Sequence, residues 1–193
     1  MSREVTVRGI VVGRRAVGEG SLRVSLYTDG LGLLSALGKS AREERSKLRA
    51  HLQEGTFGIY TVVKGRDVWR MTGAYGTHNA FYMTARREHR EALSRVLMTV
   101  RQFIRGEGSD PYLFAVLFGF ITALPNIPTE QVKDAECIVV LRILSALGYV
   151  EPANGVARYL TSTYDGAMLS HAKESRQSLV RTINDSIAAS GMG

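Results

Sequence analysis

The chain has 193 residues, of which 45% are hydrophobic and 22% are charged, and its formal net charge at pH 7 is +7. This length allows one large domain or two small ones, and the composition is that of a globular protein rather than a disordered one. The longest apolar run, Tyr112 to Leu124, is shorter than the roughly 20 residues that cross a bilayer, and no secretory signal is recognised. A single cysteine forms no internal disulfide, which favours a reducing cytoplasm.

Positive charge is concentrated in the first part of the chain. Residues 1–80 hold 13 Lys and Arg against 7 Asp and Glu, whereas residues 81–193 hold 12 against 11. Lys and Arg gathered on one surface displace counterions from phosphates and are typical of nucleic-acid-binding proteins. The first 80 residues are therefore the place to look for a site that binds polyanions.

Short strands are predicted throughout this region. In the clearest of them, Leu22, Val24 and Leu26 alternate with more polar residues, as in a strand buried on one face. The turn signal Asp29-Gly30-Leu31-Gly32 joins this strand to a hairpin partner. The five predicted strands are Val5–Arg14, Leu22–Tyr27, Leu33–Lys39, Thr56–Lys64 and Val68–Ala74.

One longer loop, Ser40–Gly55, interrupts these strands. Five short strands with glycine-rich turns and one long loop predict a five-stranded antiparallel barrel of the OB type, and an SH3-like barrel is an alternative. We therefore assign residues 1–78 to an OB-fold nucleic-acid-binding domain.

The periodicity changes to that of helices after Asn79. Leu93, Leu97 and Val100 recur at spacings of three and four, and the glycines from Gly106 onward end the helix that they predict. Residues 79–193 are accordingly predicted to form an all-helical domain, so that the chain is of the α+β class. A second helix is predicted to begin at Pro111, with Asp110 as its N-terminal cap, and to end at the break Pro125–Pro128. Two more helices are predicted, from Thr129 to Leu147 and from about Ala167 to Ala189.

No pattern in the sequence predicts an enzyme. The stretch Gly32–Ser40 resembles a phosphate-binding loop, but five residues separate its glycines where that loop has four, and Leu33–Leu37 has the pattern of a strand. The four histidines are far apart and have no metal-ligand spacing. Cys137 lies among aliphatic residues and is predicted to be a small buried hydrophobe. We predict a non-enzymatic protein without a cofactor.

The candidate DNA-binding site is centred on the loop Ser40–Gly55. Charged runs are often only solvated surfaces, and Glu43 and Glu44 dilute this one. Arginines on strands that a small barrel brings near the loop favour binding instead, and contact with phosphates is the main expectation. Of four strand aromatics, one or two are expected to stack on bases: Tyr27, Phe57, Tyr60 and Trp69. The candidate DNA-binding residues are Lys39, Arg42, Arg45, Lys47, Arg49, Arg14, Arg15 and Arg23.

Four short motifs follow one another in the first part of the chain. They are Gly18-Glu19-Gly20-Ser21-Leu22, Tyr27-Thr28-Asp29-Gly30-Leu31-Gly32, Ala36-Leu37-Gly38-Lys39-Ser40-Ala41-Arg42, and Ser46-Lys47-Leu48-Arg49 with Leu52-Gln53. In their order and spacing they resemble the N-terminal region of the RecO family of recombination mediators, most strongly over residues 8–72. Weaker resemblance continues in Leu141-Arg142-Ile143-Leu144 up to Tyr149, and in Thr182-Ile183-Asn184.

The resemblance implies an OB-fold domain followed by a helical domain, in a protein that binds single- and double-stranded DNA, anneals complementary strands and helps to load the RecA recombinase. It implies two partners, RecR and the tail of single-stranded DNA-binding protein, and a nucleoid-associated location in the cytoplasm. It also implies DNA contact by Lys39, Arg42, Lys47 and Arg49. Many family members carry a four-cysteine zinc site, but residues 150–169 of this chain contain no cysteine, so no zinc is expected.

Two other functions remain open at this stage. In one, the chain is a protein-interaction adaptor whose helical domain does the work while the barrel docks an acidic protein. In the other, it is an RNA-binding OB-fold protein with no part in recombination. Charge reversal in the loop distinguishes the adaptor from a DNA-binding protein, and a comparison of matched RNA and DNA strands tests the second alternative.

Overall fold

A computed structural model describes residues 4–84, 86–152, 155–161 and 164–191 of the chain. Its architecture is α+β, with a five-stranded N-terminal sheet followed by helices. The chain divides into two compact units. The first holds the residues up to Met83 together with Arg105–Pro111, and the second holds Thr84–Ile104 and the residues from Tyr112 onward. Among the described residues, no helix has the length and apolar character needed to cross a membrane.

All five predicted strands are present in the first unit. They are β1 (Glu4–Val17), β2 (Ser21–Thr28), β3 (Gly32–Gly38), β4 (Thr56–Lys64) and β5 (Trp69–Asn79). The largest differences from the predicted bounds are in β1, which continues past Arg14 to Val17, and in β5, which continues past Ala74 to Asn79. In β1 the register with β2 shifts between Val11 and Gly13, and this irregularity breaks the strict alternation of buried and exposed residues on which the prediction depended.

The strands close into a barrel in the order β1-β2-β3-β5-β4. Four neighbouring pairs are antiparallel, but β3 and β5 run parallel where Ala36 pairs with Trp69 and Leu37 with Arg70. The prediction of a purely antiparallel barrel is therefore wrong at this pair. Parallel neighbours need a long connection between them, and the loop after β3 together with β4 supplies it.

The barrel core is made by the inward faces of these strands. The alternation predicted in β2 is confirmed, because Leu22, Val24 and Leu26 are all buried. Leu34 of β3, the ladder partner of Leu26, and Val62 of β4 are buried in the same cluster. Burial of these aliphatic side chains contributes about 1.5 to 3 kcal/mol each to stability.

The helices of the chain are α1 (Ala80–Met83), α2 (Arg87–Phe103), α3 (Pro111–Ala123), α4 (Val132–Ala146), α5 (Gly166–Glu174) and α6 (Arg176–Ala189). The predicted break after α3 is confirmed, since the segment with Pro125 forms a 3-10 turn at Leu124–Asn126. The single last helix predicted from about Ala167 is wrong in one respect, because it is interrupted at Ser175 between α5 and α6. The backbone of Ser175 (ψ 7°) departs from helical geometry there.

Candidate nucleic-acid interface

The loop between β3 and β4 is attached to the barrel by apolar contacts. Ala41 and Leu52 are completely buried in the barrel core, and Leu48 packs against it. A 3-10 turn, Arg49–Leu52, brings Leu52 to this position. Because these anchors alternate with charged residues, the loop presents its basic side chains outward while its apolar ones hold it in place.

Backbone hydrogen bonds fix the same loop on both sides. The Arg42 amide donates to Gly20 O (2.9 Å), and the Gly55 amide donates to Val11 O (2.8 Å). From inside the barrel, the Tyr60 hydroxyl donates to His51 O (3.2 Å). The loop therefore has a defined path next to the β1–β2 hairpin.

A surface depression of about 460 Å³ lies between this loop and the hairpin, and we call it the arginine groove. Four arginines line it, two from β1 and two from the loop, together with Gln53, whose side-chain amide donates to Arg49 O (3.2 Å). Its other three lining residues are apolar. The lining residues are Arg14, Arg15, Ala16, Leu22, Ala41, Arg42, Arg49 and Gln53.

The charge of the arginine groove is not neutralised internally. None of its four arginines forms an ion pair with a residue that the structure describes, and no carboxylate is among the lining residues. In the same unit, Arg8 is paired with Asp29 at 2.7 Å and Lys64 with Glu107 at 2.9 Å. Several unpaired positive charges in one depression raise the local concentration of anions, so the groove is suited to phosphates.

The structure brings only half of the predicted DNA-binding residues into the groove. Arg14, Arg15, Arg42 and Arg49 line it, as the charge pattern and the strand positions suggested. The other loop cations are exposed but lie outside the lining: Lys39, Arg45 and Lys47.

Arg23 lies next to the groove rather than in it. It is directly opposite Arg15 in the β1–β2 ladder, and its Nε is buried without a hydrogen-bond partner. Like charges directly opposite each other on two strands are destabilising. An anion bound near this pair would reduce that repulsion.

Three of the four aromatics considered for base stacking belong to the core. Tyr27, Tyr60 and Trp69 are buried, and burial raises the pKa of the Tyr60 hydroxyl above its ordinary value. Phe57 is half-buried. Sequence reasoning missed Tyr75, which is 65% exposed on β5, because the stretch Gly73–Asn79 has no alternating pattern that would have placed it on a strand.

The remaining chemical motifs have structural roles. Gly32–Ser40 is strand β3 followed by a turn, so no helix begins at Lys39 and Ser40 as a phosphate-binding loop requires. His89 is buried, and its Nε2 lies 2.8 Å from Ile127 O. Within the described parts of the chain, no three His, Cys, Asp or Glu side chains are placed to hold a metal ion.

Comparison with known proteins gives this site a family context. The family model for the N-terminal region of recombination protein O matches residues 1–80, which include the whole barrel and the arginine groove. Residues 1–80 are therefore similar to the N-terminal region of the RecO family. Two curated relatives, both named DNA repair protein RecO and from two strains of Dehalococcoides mccartyi, are 25% identical over 142 residues and 26% identical over 120 residues.

The likeness to these RecO relatives covers only part of their length. The first alignment covers 74% of this chain and 55% of the relative, and the second covers 62% and 47%. The chain therefore spans about half the length of the curated relatives it matches. Because the first alignment is longer than the family model's match, the likeness to RecO extends beyond the barrel into the helices.

Proposed function

We propose that this chain is a non-enzymatic DNA-binding recombination mediator that acts in DNA repair, binding single- and double-stranded DNA. One observation carries the proposal: four arginines without ion-pair partners line one groove within the region that matches the RecO family. The names of the relatives support a role in repair. We further propose that the barrel is of the OB type and that the domain boundary lies near residue 78.

The mechanism is electrostatic. Arg14 and Arg15 on β1 and Arg42 and Arg49 on the loop face one depression, so a phosphate backbone in it meets positive charge from both sides. Such contacts carry no information about base sequence. Screening of the repulsion between two phosphate backbones allows complementary strands to pair, and in this way the groove promotes annealing and prepares DNA for a recombinase.

The test is fluorescence-anisotropy binding to a labelled DNA single strand across a salt series. The variant Arg42→Gln/Arg49→Gln removes two groove charges. We expect its affinity to fall and its salt dependence to become shallower, because the slope of log K against log salt changes by roughly 0.7 for each phosphate that the protein no longer neutralises. Strand annealing is then measured with complementary oligonucleotides.

A matched control removes the same charge from another place on the barrel. Arg66 and Arg70 are exposed in the first unit and lie outside the groove. We expect Arg66→Gln/Arg70→Gln to bind with nearly the wild-type slope. Equal losses in the two double variants would show that net charge, not the groove, controls binding. Tighter binding of a matched RNA strand would favour the RNA-binding alternative.

A second site, in the helical unit, supports the partners that the resemblance implies. A depression of about 290 Å³ has an apolar floor that includes Val140, Val180 and Ile183. Arg95, Lys133, Glu136 and Arg176 also line it. Arg95 is paired with Glu136 and Arg176 with the buried Asp134, so Lys133 is the lining cation that forms no ion pair with a described residue. Such a lining suits an acidic segment with an apolar end, and we propose that the depression binds the tail of single-stranded DNA-binding protein and that RecR is a further partner.

Binding of a synthetic peptide with that tail sequence tests the second site, with a scrambled peptide as control. We expect Val180→Glu to abolish binding, because it places a negative charge on the apolar floor, while the affinity for DNA is retained. Binding that survives both Val180→Glu and Lys133→Glu would place the peptide elsewhere. Wild-type protein that does not bind the peptide would exclude this partner.

A further inference from the structure

An exposed apolar pair lies on the outer surface of the barrel. Tyr75 of β5 is 65% exposed and Ile59 of β4 is 47% exposed, and the two residues are direct partners in the β4–β5 ladder. Side chains of directly opposite residues on two strands are in contact range. The pair therefore forms one apolar surface that the barrel itself does not cover.

The His51 ring extends this surface toward the loop. Its centroid lies 6.1 Å from that of Tyr75, and the planes of the two rings differ by 35°. The Gly76 amide donates to His51 Nδ1 (3.1 Å), which holds the ring beside β5. A Cβ at Gly76 would lie 2.6 Å from Thr56 Cγ2 and 3.4 Å from His51 Nδ1, so the glycine leaves room for the Thr56 side chain beside the ring.

The same 3-10 turn forms part of both surfaces. Arg49 and Gln53 line the arginine groove, whereas His51, between them in sequence, contacts β5. The Tyr60 hydroxyl donates to His51 O, so the turn is fixed to the barrel. The turn that supplies Arg49 to the groove therefore also carries the ring that lies beside Tyr75.

We infer that Tyr75 and His51 form a platform on which bases of a single strand stack while its phosphates occupy the arginine groove. This inference rests on the proposed function. Exposed aromatic rings beside a positively charged groove are how many proteins hold single strands without sequence preference. The bases of a duplex are stacked on each other, so only a single strand uses the platform. Tyr75 therefore raises the affinity for single strands and not the affinity for duplexes.

The test compares a DNA single strand with an abasic strand of the same length, which keeps the phosphates and removes the bases. Three variants are measured against both strands and against a duplex: Tyr75→Ala, Tyr75→Phe, and Tyr82→Ala as a control. Tyr82 is 78% exposed in the same unit, so its loss removes a comparable ring from another surface. Thermal unfolding confirms that each variant is folded.

We expect Tyr75→Ala to weaken binding of the base-bearing strand by about 5- to 100-fold, and to leave the abasic strand, the duplex and the salt dependence unchanged. Tyr75→Phe restores binding, since the ring is kept, and Tyr82→Ala behaves as wild type. If Tyr75→Ala weakens binding of both single strands equally, or of neither, the platform is wrong and the arginine groove remains the proposed binding site. If wild type binds none of the three nucleic acids, the proposed function fails and the platform with it.

Discussion

The Trp69 indole donates a hydrogen bond to Glu107, with 2.8 Å between Nε1 and Oε1. The other carboxylate oxygen of Glu107 accepts from Lys64 Nζ at 2.9 Å, and this ammonium lies 5.3 Å from the centroid of the Trp69 ring. The segment Arg105–Pro111 is thereby attached to the barrel unit. Trp69, which the sequence suggested as a stacking residue, is instead held at the point of attachment.

We predict that this attachment weakens in acid. The hydrogen bond from Lys64, and after it the one from Trp69, hold the pKa of Glu107 below its ordinary value. The stabilisation is therefore complete above the ordinary pKa of a glutamate and is lost as the pH falls through the lowered pKa. Because Trp69 is the only tryptophan, its emission maximum reports the change. In the variant Glu107→Gln, the emission maximum of Trp69 should stay constant over the same acid pH range. An identical titration in both proteins would contradict the prediction.

A second prediction concerns the buried carboxylate of Asp134 in the helical unit. Arg176 of α6 donates two hydrogen bonds to it, at 2.7 and 2.9 Å, and the Asp134 side chain is fully buried on α4. Removal of one partner leaves a buried charge without compensation. We expect Arg176→Leu to lower the free energy of unfolding by about 3 kcal/mol, measured by urea denaturation.

The control for this ion pair lies on the same helix. Arg181 and Asp185 of α6 are 3.8 Å apart and both are largely exposed. Exposed pairs of this kind contribute about 0.3 to 0.5 kcal/mol, so Arg181→Leu should have a small effect. If both substitutions destabilise equally, the loss reflects the leucine on the surface of α6 rather than the buried carboxylate.

A third prediction concerns the reactivity of Cys137. Burial, and after it the negative charges of Glu136 and Asp134, raise the pKa of its thiol to about 11. Since the thiolate is the reactive form, we expect Cys137 to react with a disulfide reagent at pH 8 on the order of a hundredfold more slowly than a free thiol. Denatured protein supplies the control rate. Fast reaction of the folded protein would show that the depression beside Cys137 opens in solution.

The sequence predicted all five barrel strands, but it missed the ends of β1 and β5, where burial does not alternate strictly. In β2 the alternation of Leu22, Val24 and Leu26 is complete, and the strand was recognised. The end of β5 contains Gly73 and Gly76, and the register shifts there, so no period of two was visible and Tyr75 was missed. The parallel β3–β5 pair could not be predicted either, because it joins residues far apart in the chain.

The sequence also predicted only part of the candidate site. The charge distribution located the basic region, and strand positions correctly placed Arg14 and Arg15 near the loop. They could not show which loop cations face the groove, because that depends on how the anchors Ala41 and Leu52 orient the loop. The roles of all these residues in DNA binding stay predictions, as does the domain boundary at residue 78.

The last prediction tests how closely the segment Arg105–Pro111 approaches the barrel at Gly32. Gly32 has a φ of 68°, and a Cβ there would lie 2.6 Å from Gly108 N. Gly18 has a similar φ of 59°, but a Cβ at that position would meet nothing within 4 Å. Alanine at either position carries the cost of left-handed backbone, about 1 to 2 kcal/mol. Only Gly32→Ala also displaces the segment.

We therefore expect Gly32→Ala to lower the free energy of unfolding by more than Gly18→Ala does. We also expect it alone to change the emission of Trp69, because displacement of Gly108 moves the neighbouring Glu107 away from the indole. Urea denaturation and the emission maximum are measured for both variants. Equal losses of stability with an unchanged Trp69 emission would mean that the backbone of Gly108 does not pack against Gly32 in solution.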